Sequence, residues 1–554
     1  MDAETNPTAP TNPTTPAVPP LRPAGWEPVD YPLADRIPEA LHGPSSSLEG
    51  LTVLVTGLGV SGFPAAVHLG ERGADVIVVD ANAERDLGEQ ITILEVFDVD
   101  VRRGPEHVTT VPRSTAGNLP DLVVTSPGWR PDHPVLVAAQ EAGIPVIGEV
   151  ELAWRVRGTN AAPWLVVTGT NGKTTTTSML ASMLQAAGLN ARACGNIGAP
   201  LLEAVLDPAA EVLAIELSSY QLHWQYSMSA HAAAVLNLAD DHLDWHGGSA
   251  EYAAAKGRAY TNVQKAAVYN VDDPATRRLV EDAEVIAGAR AVGFGLGMPG
   301  PGSFGLVEDV LVDRAYVPNR YSAAAELGTL ADVATASGHP GGTAAPHQVA
   351  NALAAAALAR SLDVPTGAIA QGLKDHVAGG HRLEHVITAA GVTWIDDTKA
   401  TNPHAADAAL ASFEDIVWIA GGLPKGAEYS ALVESHAHRL RGVVLVGTDR
   451  APLRTALAAH APDVPVVEIE DLPDPDGTPE TARGRAVMTA AVEAAAGLAA
   501  DAGDSVTVLL APAAASMDQF LDYGTRGDLF AAAVRERTAG DHGQGASAAE
   551  NPGV

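Results

Sequence analysis

Leu165-Val166-Val167-Thr168-Gly169-Thr170-Asn171-Gly172-Lys173-Thr174-Thr175 decides how the chain is read. The apolar β-branched run Leu165 to Val167 predicts a buried strand, and Thr175 to Ala187 predicts a helix. Between them the glycines permit a tight turn whose backbone N–H groups form an anion nest at the helix N-terminus. Lys173 adds positive charge, and the Thr174 hydroxyl suits Mg²⁺. Val167 stands where a full Walker A loop has its first glycine, so the string is a shortened phosphate loop. A plain strand–turn–helix joint is the alternative; the flanking strand and helix favour phosphate binding.

Composition bounds what surrounds this loop. A chain of 554 residues exceeds one core, and 46% hydrophobic with 18% charged residues describes a globular protein. The formal net charge of −33, with no basic stripe, argues against nucleic acid. Cys194 is the only cysteine, which excludes an internal disulfide or a Cys-based zinc site and leaves it as a small apolar residue. The start lacks a secretory pattern, and the longest apolar stretch, Ala352 to Ala359, is too short to span a bilayer. A cytoplasmic location is expected, with no membrane insertion.

Working outward, the fold class is α/β in three domains. Residues 1–47 read as a Pro/Thr-rich disordered tail and lead-in, with seven prolines before residue 24. Residues 48–160 read as a Rossmann-like domain. Strand Leu51 to Val55 precedes Gly57-Leu58-Gly59-Val60-Ser61-Gly62 and a helix from Phe63 to Arg72. Strand Asp75 to Asp80 ends in an acid about twenty residues on, which fits a dinucleotide or other nucleoside-diphosphate fingerprint. Further βα units run through Leu122 to Gly128, Val135 to Ala142 and Pro145 to Gly148. Residues 161–380 form a P-loop ATPase-like central domain. Its strands Val212 to Glu216 and Ala232 to Leu238 end in Glu216 and in Asp240-Asp241-His242, where ligands of parallel sheets bind. A helix from Ala253 to Tyr260 carries Lys256, residues 286–335 read as short irregular strands, and His347 to Arg360 as an Ala-rich helix. Residues 381–538 read as a second Rossmann-like domain, and 539–554 as a disordered tail. Taken singly, His242 suits a core histidine, and Lys256, Arg382 and Lys425 suit solvated charges; their placing at strand ends and turns points to a cleft.

From Leu51 to Arg537 the chain resembles the Mur ligase superfamily. The shared strings are Gly169 to Thr174, Gly195-Asn196-Ile197-Gly198, Glu216 to Leu222 and His381-Arg382. Asp396-Asp397-Thr398-Lys399-Ala400-Thr401-Asn402 and Ala511 to Phe520 match the D-glutamate-adding branch.

The resemblance implies a monomeric, ATP-dependent amide ligase of peptidoglycan precursor synthesis, joining D-glutamate to UDP-N-acetylmuramoyl-L-alanine through an acyl phosphate. It implies catalytic roles for Lys173, His242 and Lys256. ATP would meet Gly169, Thr170, Asn171, Gly172, Lys173, Thr174, Thr175, Asn351, Arg382 and Asp397. Two Mg²⁺ would be held by Thr174 and Glu216, and by His242 and a carbamylated Lys256, whose anionic oxygens suit a hard cation. The UDP substrate would meet Gly57, Gly59, Val60, Ser61, Gly62, Asp80, Ser126, Asn196 and His242. D-glutamate would meet Lys399, Thr401, Lys425, Ser516, Met517 and Tyr523. Ala81-Asn82 depart from the familiar Thr-Arg beside uracil, and 104–120 reads as an addition. Another ligase of the superfamily, a nicotinamide-dependent oxidoreductase and a non-enzymatic nucleotide-binding regulator are the alternatives. The second phosphate loop and Lys173, Glu216, His242 and Lys256 argue against the last two.

Overall fold

The computed structural model describes residues 30–547 except 45, 471–479 and 504. The expected disorder of the first 29 and last seven residues lies outside that range. Three sheets, each mostly parallel, carry helices on their connections, which is the α/β pattern expected from alternating apolar runs.

The first sheet is β1 (Thr52–Thr56), β2 (Asp75–Asp80), β3 (Asp100–Arg103), β4 (Leu122–Thr125) and β5 (Val146–Gly148), in the order β3-β2-β1-β4-β5. The second holds β6 (Trp164–Thr168), β7 (Ala191–Gly195), β8 (Val212–Glu216), β9 (Ala232–Val235), β10 (Ala266–Asn270), β11 (Arg290–Phe294), β12 (Ser303–Val307), β13 (Val310–Asp313) and β14 (Ala325–Thr329). Its order is β14-β13-β12-β11-β10-β9-β6-β8-β7, with only β12-β13-β14 antiparallel. The third holds β15 (Glu384–Ala389), β16 (Val392–Asp396), β17 (Ile416–Gly421), β18 (Leu440–Val446), β19 (Val466–Glu468) and β20 (Val506–Leu510), in the order β15-β16-β20-β17-β18-β19. The fully buried runs of β1, β6 and β17 explain why these strands read as unbroken apolar stretches: both faces are covered by helices.

The chain divides into two compact units. Met1–Leu238, Ala253–Thr329 and Ala350–Asp375 make the first, which carries the first two sheets. Ala239–Tyr252, Leu330–Val349 and His376–Val554 make the second, which carries the third sheet. Of residues 161–380, the segments Ala239–Tyr252 and Leu330–Val349 and the stretch 376–380 group with the second unit.

Three expectations change. The lead-in is ordered from residue 30: Tyr31 stacks on Tyr226 at 4.0 Å between ring centroids, and its hydroxyl accepts from Val146 N–H at 2.8 Å. Ile37 and Leu41 join the core of the first unit. These few apolar side chains are enough to dock the segment. At the other end, the helix Tyr523–Ser547 covers residues expected to be tail. Once nucleated, a helix extends at the cost of ordering one residue per hydrogen bond, and no proline interrupts it before residue 552. Residues 286–335 hold not only strands but also the helix Leu330–Ala336.

Within the first unit, Glu151 on the helix Glu149–Val156 locks the two sheets' connecting segments together. It is fully buried, pairs with Arg155 at 2.6 Å, and accepts from Tyr226 N–H (2.8 Å), Ser227 N–H (2.8 Å) and the Ser227 hydroxyl (2.6 Å). Glu151→Ala would strand these donors and leave Arg155 a buried charge, a loss of about 3–5 kcal/mol. Urea unfolding followed by tryptophan fluorescence should show that loss, whereas an exposed control, Glu71→Ala, should change little.

Candidate functional site

The phosphate loop leaves β6 at Thr168 and enters the helix Lys173–Ala186. Gly169 (φ +150°) and Gly172 (φ +84°) take backbone conformations closed to most side chains. Each is also crowded: a Cβ on Gly169 would stand 3.0 Å from the Leu236 side chain, and one on Gly172 would collide with the Asn351 amide. The loop is pinned from the end of β9 by Asn237, whose carbonyl accepts from Thr170 N–H (3.0 Å) and whose Oδ1 accepts from Asn171 N–H (2.8 Å). The Asn237 side chain returns a bond to Asn171 O at 3.1 Å. The sequence gives Asn237 no role; its pairing with Asn171, 66 positions away, is visible only in the fold.

Two ammonium groups meet at this loop. Lys173 Nζ donates to Gly169 O (2.9 Å) and Thr170 O (2.8 Å), and Lys256 Nζ donates to Gly169 O at 2.8 Å. Lys256 is 1% exposed, which corrects the view of it as a solvated helix lysine. Its helix, Ser249–Gly257, starts earlier than expected and passes into a 3₁₀ turn, Arg258–Tyr260. Glu216 ends β8 one strand away, in register with Val167. Its Oε1 accepts from the Asn196 amide at 2.7 Å, while its buried Oε2 has no hydrogen-bond partner. A buried carboxylate oxygen without a donor is costly unless a cation meets it, so the donor set here fits a hard divalent ion such as Mg²⁺. The structure therefore gathers Gly169, Thr170, Asn171, Gly172, Lys173, Glu216, Asn196, Lys256 and Asn351 around one loop, with Thr174 and Thr175 in the first turn of the helix.

In the first sheet, the loop Gly57–Gly62 lies between β1 and the helix Gly62–Glu71. Asp80, at the end of β2, accepts from Leu58 N–H (2.8 Å) and from Asn82 N–H (2.9 Å), tying the glycine loop to the departing strand. Glu149 is buried, and that burial raises its pKa against the bonds it makes with Ser61 and with the backbone of Leu202.

The second unit gathers the remaining residues. His242, at φ +52°, lies on its segment Ala239–Tyr252 beside Asp241, 3.5 Å away. Asp241 also meets the Asn402 amide at 3.4 Å, joining two strings that are 161 residues apart. Arg382 and Asp397 are neighbours in charge. Burial pushes the Asp397 carboxyl up to about 7, against the lowering effect of Arg382 and of a bond from Leu383 N–H. His381 donates from Nδ1 to Asp396 Oδ2 at 2.7 Å, and this bond raises its pKa. Lys399 Nζ stands 4.9 Å from the Tyr523 ring centroid, a cation–π distance. Leu423, two residues before Lys425 (φ +48°), exchanges backbone bonds with Ala515, beside buried Ser516. Ala513 N–H donates to Ala400 O at 2.8 Å, which brings the Thr401 turn to the same place. Met517 and Tyr523 stay exposed, as residues facing a ligand would. Arg526, unassigned by the sequence, is fully buried and donates to Thr398 Oγ1 (2.8 Å), Thr398 O (2.9 Å) and Ala514 O (3.3 Å). It holds the Thr398 and Ala514 turns together, and a lone arginine gave no periodic signal.

Known protein families match three stretches of the chain. Residues 51–148 match the Mur ligase MurD-like N-terminal domain, 167–359 the Mur ligase middle domain, and 381–514 the Mur ligase glutamate ligase domain. The chain belongs to the Mur ligases. A Streptomyces avermitilis protein named UDP-N-acetylmuramoylalanine–D-glutamate ligase is 55% identical over 488 residues, 88% of this chain and 98% of that protein. The protein of the same name from Leifsonia xyli is 50% identical over 90% of this chain and 95% of its own length. Among solved structures, MurF from Acinetobacter baumannii superposes with a TM-score of 0.53 at 18% identity, covering 92% of this chain and 100% of that one. That likeness confirms the Mur ligase fold.

The buried Asp397 gives this Mur ligase a pH signature. Its folded value, about 7, lies above the ordinary 3.8. The unfolded carboxyl ionises first, so the folded state loses stability as pH rises from about 4 through 7, by on the order of 4 kcal/mol. In nucleotide-free protein, Asp397→Asn should match wild type in urea at pH 4 and exceed it at pH 8.

Proposed function

We propose that the chain is an ATP-dependent ligase that joins D-glutamate to UDP-N-acetylmuramoyl-L-alanine in peptidoglycan precursor synthesis, in the cytoplasm. The observation that carries this reading is the single loop at which Lys173, Lys256 and the cation-seeking Glu216 converge, in a chain half identical to proteins of that name over most of its length.

The chemistry needed is a carboxylate attacking the γ-phosphorus of ATP, giving an acyl phosphate and ADP. The D-glutamate amine then attacks the acyl carbon, and inorganic phosphate leaves as the amide forms. Lys173, now satisfied by loop carbonyls, is free to exchange those bonds for phosphate oxygens, where a charged donor is worth more. The loop N–H groups cradle the phosphates. Thr174 and Glu216 would hold one Mg²⁺, with Asn196 orienting the Glu216 carboxylate. His242 and a carbamylated Lys256 would serve a second. When bound, Mg²⁺ supplies neutralisation of the charge that develops on the transferred phosphoryl group. Carbamylation of Lys256 would turn a donor into anionic oxygen ligands, which suit a hard cation.

For the amino acid, Lys399, Thr401, Lys425, Ser516, the Met517 backbone and Tyr523 offer cations and hydroxyls suited to a dicarboxylate. Asn351 would meet adenine, with Arg382 and Asp397 on the nucleotide. Gly57, Gly59, Val60, Ser61, Gly62, Asp80 and Ser126 would hold the UDP moiety.

ADP release measured with UDP-N-acetylmuramoyl-L-alanine and a panel of amino acids tests the reading. Turnover is expected with D-glutamate; turnover only with L-lysine or meso-diaminopimelate would overturn it. Lys173→Ala should lower kcat by about 10²–10³-fold, the loss seen when a transition-state donor is removed. Lys256→Ala should lose activity and recover part of it on addition of a short-chain carboxylic acid; full activity without rescue would reject the carbamate.

A further inference from the structure

The first sheet reverses its strand order at one place. From β1, the chain builds β2 and β3 to one side and β4 and β5 to the other. The crevice beyond the carboxyl ends of β1 and β4 is where open α/β sheets bind ligands. The glycine loop forms one lip of this crevice. The turn after β4, Ser126-Pro127-Gly128-Trp129, forms the other, and it closes with Trp129 N–H donating to Ser126 O at 3.1 Å.

Trp129 turns the polar edge of its indole onto the first glycine of the loop. A Cβ built on Gly57, whose φ is +85°, would stand 2.8 Å from Trp129 Nε1 and 3.0 Å from Ser126 Oγ. The ring is held in that pose. It packs against the apolar cluster containing Val123, Val135 and Leu136, and meets the His133 ring at 4.5 Å between centroids. Yet Trp129 is only half-buried, and its Nε1–H donates to no described residue. Across the same lip, the backbone N–H groups of Gly59, Val60 and Ser61 precede the helix Gly62–Glu71, where the dipole favours an anion.

We propose that Trp129 is a specificity-determining contact for the UDP-linked substrate, its indole N–H donating to an oxygen of the diphosphate seated over the Gly57–Gly62 loop. The proposal rests on the reading of that loop as the UDP site. Indole is a donor with no acceptor, so it suits a phosphoryl oxygen, and a charged acceptor makes the bond strong. The ring's contact with Gly57 also explains why that position tolerates no side chain. A larger residue there would displace both the indole and Ser126.

Trp129→Phe keeps an aromatic ring and removes only the N–H. Calorimetric titration with UDP and with uridine separates the diphosphate from the base. Affinity for UDP is expected to fall about tenfold, as for loss of a hydrogen bond to a charged group, with uridine affinity unchanged. In steady state the KM for the UDP-linked substrate should rise likewise, with KM for ATP and D-glutamate and the unfolding midpoint unaltered. Unchanged UDP affinity in Trp129→Phe would overturn the proposal, and so would an equal loss for uridine. Wild-type protein with no affinity for UDP would instead overturn the reading of the loop itself.

Discussion

The carbonyl of Gly169 accepts from two lysines that come from different parts of the chain, and the central site is built around that meeting. Gly169 can present its carbonyl inward because its backbone takes a conformation that only glycine adopts freely. Asn237 then prevents the loop from relaxing by bonding it on both edges. The lysines thus stand beside an anion nest at the start of a helix, while Glu216 offers a donor-free oxygen one strand away. Positive donors, a carboxylate that wants a cation and a helix N-terminus are the parts phosphoryl transfer needs, already oriented before any ligand arrives.

The second unit uses a different device for the same end. The turns Asp397–Thr401, Leu423–Lys425 and Ala513–Met517 carry the residues proposed to meet ligands. They are joined by backbone bonds between Ala400 and Ala513 and between Leu423 and Ala515. Arg526 sits beneath two of them as a planar fork shared between Thr398 and Ala514. Exposed Met517 and Tyr523 therefore project from a rigid base. In the first sheet, Asp80 performs the corresponding task by bonding both the glycine loop and the turn that carries Asn82, where the chain departs from the familiar Thr-Arg. In each of the three sheets the proposed ligand residues stand on short turns, and a side chain from elsewhere in the same unit fixes those turns.

Much of this was legible in the linear chain. The shortened phosphate loop, the Gly57–Gly62 turn followed by Asp80, and Glu216 at a strand end all followed from local pattern, because glycine-dependent turns and buried strands leave strong short-range signals. The strings around Asp397 and Ser516 carried the resemblance to the D-glutamate-adding branch, and relatives of that name cover nearly all of the same range. Short strands β3, β7 and β19 escaped notice because three to five residues carry little periodicity. The lead-in and the end of the last helix were read as disordered from composition, yet a few apolar contacts and an uninterrupted helix order residues 30–44 and 539–547.

The sequence by itself determined the α/β class, the phosphate loop and the family, since each depends on residues adjacent in the chain. Tertiary structure alone decided that Lys256 is buried against Gly169, that Asn237 clamps the loop, that Arg526 joins two turns and that Trp129 faces Gly57. Apart from the bond of Arg526 to Ala514, those contacts join residues 66 to 128 positions apart, and Trp129 meets Gly57 across neighbouring strand ends. Spacing in the chain carries no record of such pairings. They arise when parallel strands bring their carboxyl ends to one edge, and only there do lone lysines, arginines and tryptophans acquire partners.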